Sequence, residues 1–238
     1  MTLFKDDFED NLNDWDIVVT AWGQSSLAIQ TEALCHGLAG LKAVSRNTGG
    51  DPCYVYLRQT VGSAWEHWAR TYFRIQPGYV GVNGNAISFV ELWHGGAGFG
   101  GLRLVYDSGT DAFFLRLRYY SDAGAYVDVP AVTANGLQLV PGRWYHLELN
   151  YRRAAEGDKH VKVYADGVLQ DAYTVTNPRR SWPGDVDIVQ TGLYAVAAGN
   201  DGVIHLDDFG YSNQGRVYPI RGRLANQINH ALGGGQVA

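Results

Sequence analysis

The chain has 238 residues, with 30 glycines, 15 tyrosines, 7 tryptophans, one methionine and a formal charge of −5. A net-negative chain is no general nucleic-acid binder, and no apolar run is long enough to span a membrane. The aromatic and glycine-rich composition favours strands and turns over helices, at a length that an all-β sandwich often fills as one unit.

The N-terminal MTLFKDDFEDNLNDW has neither the basic nor the apolar part of a secretory signal. Action outside the cell or on a particle surface therefore needs a signal that was removed, or another route such as release inside a virus particle. About thirteen strands are then expected, each alternating apolar and polar residues with period two. They fall at Leu27–Thr31, Gly40–Ser45, Tyr54–Val61, His67–Gln76, Ile87–Trp93, Leu102–Tyr106, Phe113–Tyr120, Tyr126–Val129, Tyr145–Tyr151, His160–Ala165, Ala172–Thr176, Ile188–Ala197 and Val203–Tyr211. Asp166-Gly167 predicts a tight hairpin with positive φ at the glycine. Gly95–Gly101 reads as a long strand connection able to rim a groove. It lacks the Gly-Lys-Ser/Thr and following helix of a phosphate loop.

Cys35 and Cys53 flank a strand-turn-strand segment. They read as two buried thiols, with a disulfide open to them if their Cα atoms approach within about 7 Å. Residues 213–238 carry Arg216, Arg221 and Arg223 and no acid. Leu224, Ile228 and Leu232 there share one face of a short helix. This tail either folds onto its own domain or docks on a neighbouring subunit, which would make an oligomer or larger assembly.

Strand alternation sorts the faces. Leu57, Phe73, Leu115, Leu117, Leu147, Leu149 and Val163 all fall on apolar sides and are expected in the core. Opposite them, three strands repeat an aromatic–arginine face: Tyr54, Tyr56 and Arg58; Trp68, Arg70, Tyr72 and Arg74; Arg116, Arg118 and Tyr120. If the three strands share a sheet, these residues line one reachable surface, with Glu91, Glu148 and Trp144 on neighbouring strands. Aromatic rings stack on the C–H faces of sugars, and arginine forks grip carboxylates. The same face could equally be covered by another protein, or simply keep the sheet soluble.

Several motifs carry a resemblance. WYHLELNYRR followed by HVKVYADG resembles the second half of laminin-G-like domains of the concanavalin-type lectin and glucanase superfamily. LFKDDFEDNLNDW resembles the start of bacterial laminin-G-like and carbohydrate-binding modules, VIHLDDFGYS their last strand, and TEALCHGLAGLKAV their second strand. The resemblance covers about residues 3–212 and implies a two-sheet antiparallel jelly roll with a short C-terminal extension. It places the first and last strands side by side. It also implies a structural calcium near those strands, with Glu9 and Asp207 the best candidate ligands among Asp6, Asp7, Glu9, Asp207 and Asp208; the other reading leaves these acids solvated or paired to groups such as Lys5. Calcium takes six to eight oxygen ligands.

The retaining-glucanase motif E-x-D-x-x-E is absent, as are a Gly-x-Ser-x-Gly elbow and the clustered motifs of alginate-lyase-like relatives. The expected function is a non-catalytic module that binds glycan through the aromatic–arginine face. The alternative is a structural subunit of a virion or surface assembly that uses the same fold for protein contacts. A polysaccharide hydrolase or lyase is the third reading.

Overall fold

The computed structural model describes residues 3–47, 52–94, 97–153, 159–176, 178 and 186–217. Arg221, Arg223 and the expected tail helix at Leu224, Ile228 and Leu232 lie outside the described residues. Sixteen strands are present among the described residues: β1 (Leu3–Asp6), β2 (Ile17–Val19), β3 (Ala21–Trp22), β4 (Ser25–Gln30), β5 (Gly40–Arg46), β6 (Cys53–Thr60), β7 (Glu66–Ile75), β8 (Ala86–His94), β9 (Ala97–Asp107), β10 (Ala112–Tyr120), β11 (Tyr126–Val129), β12 (Tyr145–Arg152), β13 (His160–Ala165), β14 (Val168–Leu169), β15 (Ile188–Val196) and β16 (Asp201–Ser212).

They form two antiparallel sheets. The larger, of nine strands, runs β14-β13-β12-β7-β16-β5-β4-β3, with β1 paired to β16. The smaller, of seven, runs β11-β10-β9-β8-β15-β6-β2. The fold is an all-β jelly-roll sandwich. Among the described residues no helix is long and apolar enough to cross a membrane.

Period-two alternation explains the core. Leu57, Phe73, Leu115, Leu117, Leu147, Leu149 and Val163 are all buried as expected, each contributing about 1.5–3 kcal/mol by leaving water. Across the sandwich, the rings of Phe73 and Phe89 stack 4.2 Å apart. One apolar cluster runs from Phe8 to Tyr211. The terminal strands do lie side by side, with Leu3 opposite Ser212 and Asp6 opposite Phe209. Asp166 and Gly167 have φ of 51° and 82° between the paired Ala165 and Val168. Two positive φ values make this a type I′ turn, whose twist suits a two-residue hairpin.

Two expectations need correction. Ala172–Thr176 is not a strand. Asp171–Tyr173 is a 3₁₀ turn, and only Val175 bridges, to Val161. The turn sends Tyr173 inward, where its hydroxyl donates to the Leu115 carbonyl at 2.6 Å and accepts from the Leu137 amide at 2.7 Å. The glycine-rich loop is also shorter than expected, because β9 already begins at Ala97. Glycine survives inside a strand where neighbouring side chains cross it. Cys35 and Cys53 are both free thiols, as the first of the two readings has them, with Cys53 buried and Cys35 half-buried. Cys53 is in the smaller sheet, while Cys35 belongs to a loop tied to β16 of the larger.

Candidate functional site

The expected aromatic–arginine face is divided between the two sheets. β6 and β10 belong to the smaller sheet and β7 to the larger. Tyr54, Tyr56, Arg58, Glu91, Arg116, Arg118 and Tyr120 therefore share one outer surface. Trp68, Arg70, Tyr72 and Arg74 lie on the opposite side of the sandwich.

The β7 group is largely covered. Arg70 is 1% exposed and Tyr72 6%, contrary to the expectation that they are reachable. Arg70 is forked onto Asp208 at 3.1 and 3.0 Å. The Tyr72 ring packs 4.4 Å from the His36 ring and 4.8 Å from that of His146. Arg74 donates to the Glu32 carbonyl at 3.0 Å and lies over Trp144. Glu148 is on this side too, gripped by Arg216 at 2.8 and 2.6 Å. The loop through His36 and the stretch around Arg216 close this surface over.

The smaller sheet keeps its face open. Cross-strand partners form an unbroken row over all seven strands: Ile17, Arg58, Gln190, Glu91, Gly101, Arg118 and Asp128. Gly101 makes the centre workable. A Cβ there would come within 2.7 Å of Glu91 Cγ, so only glycine lets Glu91 lie across β9. The floor is recessed: Gln190 is 2% exposed, while Tyr126 at the edge is 48% exposed.

Polar groups on this floor are linked. Arg58 Nε donates to Gln190 Oε1 at 2.6 Å. Gln190 Nε2 donates to Glu91 Oε2 at 3.3 Å, which also accepts from Trp93 Nε1 at 2.9 Å. Burial raises the Glu91 carboxyl above its usual range, against hydrogen bonds from Ser88 and Trp93 and the charges of Arg103 and Arg58.

The two ends differ in chemistry. Toward β6, Arg58 lies 4.5 Å from the Tyr56 ring centre and 4.9 Å from that of Trp93. Tyr194 packs on Tyr54, Tyr56 and Trp93, and Trp22 meets Tyr54 edge-on. Toward β11, Arg103, Arg116 and Arg118 surround Asp128. One end offers flat apolar rings for a sugar and the other offers cationic forks for an anion.

Sequence reading missed Trp22, Trp93, Arg103, Tyr126, Asp128, Gln190 and Tyr194. Arg103 in LRLVY and Gln190 in IVQTGLY stand out as polar residues in apolar strands. Nothing local marks Trp22, which sits on a strand of the larger sheet and reaches the smaller one.

The expected metal ligands meet one loop from opposite ends of the chain. Glu9 accepts the Leu38 amide through both oxygens, at 2.9 and 2.8 Å. Asp207 is fully buried and accepts the amides of Cys35 and His36 at 2.8 and 2.7 Å, and of Asp208 at 2.7 Å. Burial pushes its carboxyl up to about 7 despite these three hydrogen bonds. Asp207 makes no ion pair among the described residues. A buried carboxylate without a cation is costly, and the raised value is the expected response. Cys35, His36 and Asp207 also bring potential ligand atoms within 4.8 Å of one another, but sulfur and imidazole are not calcium ligands.

No family model matches the chain, and no curated protein matches it. Solved structures do. The cellulose-induced protein Cip1 superposes with a TM-score of 0.66 at 19% identity, covering 91% of this chain and 99% of its own. An endo-β-1,4-glucuronan lyase from the fungus Trichoderma reesei gives 0.63 at 16%, covering 89% and 95%. An alginate lyase, Aly36B, solved with an alginate tetrasaccharide, gives 0.56 at 13%, covering 75% and 82%. What is shared is the concanavalin-type jelly roll. The laminin-G likeness rests on the sequence motifs alone.

Proposed function

We propose that this chain binds an anionic, uronate-bearing polysaccharide along the outer face of the smaller sheet. One observation carries the reading: the unbroken row from Ile17 to Asp128, with stacked aromatics at one end and three arginines at the other. Six strand spacings of about 4.8 Å give it a length of roughly 29 Å, which suits a chain of sugars better than a single one. The glucuronan and alginate lyases among the structural neighbours act on polymers of this class by their names.

Calorimetric titration with polyglucuronate, alginate and a neutral β-glucan tests the proposal. Binding of a polyuronate that is lost in both Arg58→Ala and Arg118→Ala is the expected result. Equal binding of the neutral glucan, or no effect of either substitution, would overturn it.

Cleavage by β-elimination is a second reading, favoured by one contact. The Tyr194 ring centre lies 5.9 Å from the Arg58 guanidinium, so a tyrosine ring sits near a group able to neutralise a uronate carboxylate. Burial, with Glu91 nearby, raises the Tyr194 phenol, and Arg58 only partly offsets this. That works against proton abstraction and makes binding the leading function. Ultraviolet absorbance of unsaturated uronate ends, lost in Tyr194→Phe, would establish cleavage.

We further infer that Glu9 and Asp207 hold a structural calcium that ties the first and last strands to the loop at Leu38. It is supported by the burial of the Asp207 carboxyl and the convergence of both acids on that loop.

A further inference from the structure

The arginine end of the groove already contains a carboxylate. β11 sets Asp128 opposite Arg118, and β9 sets Arg103 opposite Arg116. Arg118 grips Asp128 as a planar fork, Nε to Oδ1 at 2.8 Å and Nη2 to Oδ2 at 2.9 Å. Arg103 Nη1 stands 3.5 Å from Oδ1 and Arg116 Nη1 3.8 Å from Oδ2. The latter two separations exceed good hydrogen bonds but remain within ion-pair reach.

Three guanidiniums thus share one carboxylate, and even with Glu91, the next acid felt by Arg103 and Arg118, positive charge is in excess. Arg103 is 8% exposed, and the Nε atoms of Arg103 and Arg116 are buried with no hydrogen-bond partner among the described residues. Among the described residues Arg103 otherwise donates a long bond, 3.3 Å, to the Ala86 carbonyl, and Arg116 donates through Nη2 to the Thr133 hydroxyl. Buried like charges with unused donors are unfavourable unless an anion joins them. The Asp128 side chain is a quarter exposed, so the cluster opens to the groove where that anion sits.

We infer that Asp128 is an internal stand-in for a ligand carboxylate. It keeps the three arginines ordered in the empty groove and competes with the anionic group of the glycan for them. This rests on the proposed function and adds a consequence: the native affinity is held below what the arginines alone would give. A residue that merely positioned Arg118 would have the opposite effect, because its loss would loosen the fork and weaken binding.

The test is titration of the wild-type protein and of Asp128→Asn with polyglucuronate at low ionic strength. The variant keeps the shape and removes one negative charge within ion-pair distance of the ligand. Its Kd should be lower by about fivefold or more, with no gain for a neutral β-glucan. An unchanged or weaker affinity overturns the inference and leaves the binding proposal standing. Loss of all polyuronate binding in both proteins overturns the two together. If Asp128→Asn does not fold, carbon-13 NMR of labelled aspartate in the wild type decides. The Asp128 carboxyl resonance should move as polyglucuronate is added. A resonance that stays fixed while the glycan binds overturns the inference.

Discussion

Arg70 and Asp208 form a closed two-bond fork, 3.1 and 3.0 Å, on the outer side of the larger sheet. A bulge in β16 makes this geometry. The pairing of β16 with β7 shifts between Asp207 and Gly210, and Asp208 takes φ of 45°. An extra residue in one strand re-aims the side chains around it. Asp207 and Asp208, neighbours in sequence, therefore serve the same side of the sheet: one holds the Cys35–His36 amides and the other holds Arg70.

Removing one partner of that pair leaves the other charge buried alone. Asp208→Ala should cost about 3–5 kcal/mol in chemical denaturation. Its affinity for polyuronate should not change, since the groove is on the other sheet. A cost below about 1 kcal/mol would mean that water solvates Arg70 after all.

Division of the aromatic faces makes a paired comparison. Tyr120→Ala should weaken polyuronate binding by about tenfold, equivalent to about 1.4 kcal/mol. Trp68→Ala should leave it unchanged, because that ring packs on Tyr164 on the outer face of the larger sheet, away from the groove. Equal losses in the two variants would argue for binding at both surfaces.

Chelation tests the terminal cation. An ion bound only by the folded state stabilises it by mass action, so excess chelator should lower Tm and added calcium should restore it. A melting curve indifferent to both would leave Glu9 and Asp207 as anchors for backbone amides alone.

Acid tests the arginine cluster. Burial would raise the Asp128 carboxyl, but the Arg118 hydrogen bonds and the charges of Arg118, Arg103 and Arg116 outweigh it and lower it below the usual 3.8. A lowered folded value means that the pair stabilises the protein above the unfolded value and fades as pH falls through the folded one. The Tm difference between wild type and Asp128→Asn should be full above about pH 5 and shrink below about pH 4. A difference independent of pH would show that charge is not its origin.

In the core, Leu57→Ala should cost about 2–5 kcal/mol, since Leu57 is fully buried and its neighbours can only partly collapse. Urea denaturation measures this directly.

Local pattern was enough for much of the fold. Period-two alternation marked Leu57, Phe73 and Leu147 as core, because a strand turns successive side chains to opposite faces wherever it lies. Asp166-Gly167 marked its own turn, because few residues accept positive φ. Which strands became neighbours was decided only in three dimensions. Arg58, Glu91 and Arg118 meet in one row because β6, β8 and β10 close into the smaller sheet, while the similar pattern of β7 was drawn into the larger. Strand pairing depends on contacts far apart in sequence, so equal patterns in two strands carry no information on their sheet. Alternation also failed at bulges such as that beside Asp208, where one added residue reverses the side chains beyond it. Burial of Arg70 and Tyr72 was equally tertiary: it is imposed by Asp208, His36 and His146, residues brought beside β7 from distant parts of the chain.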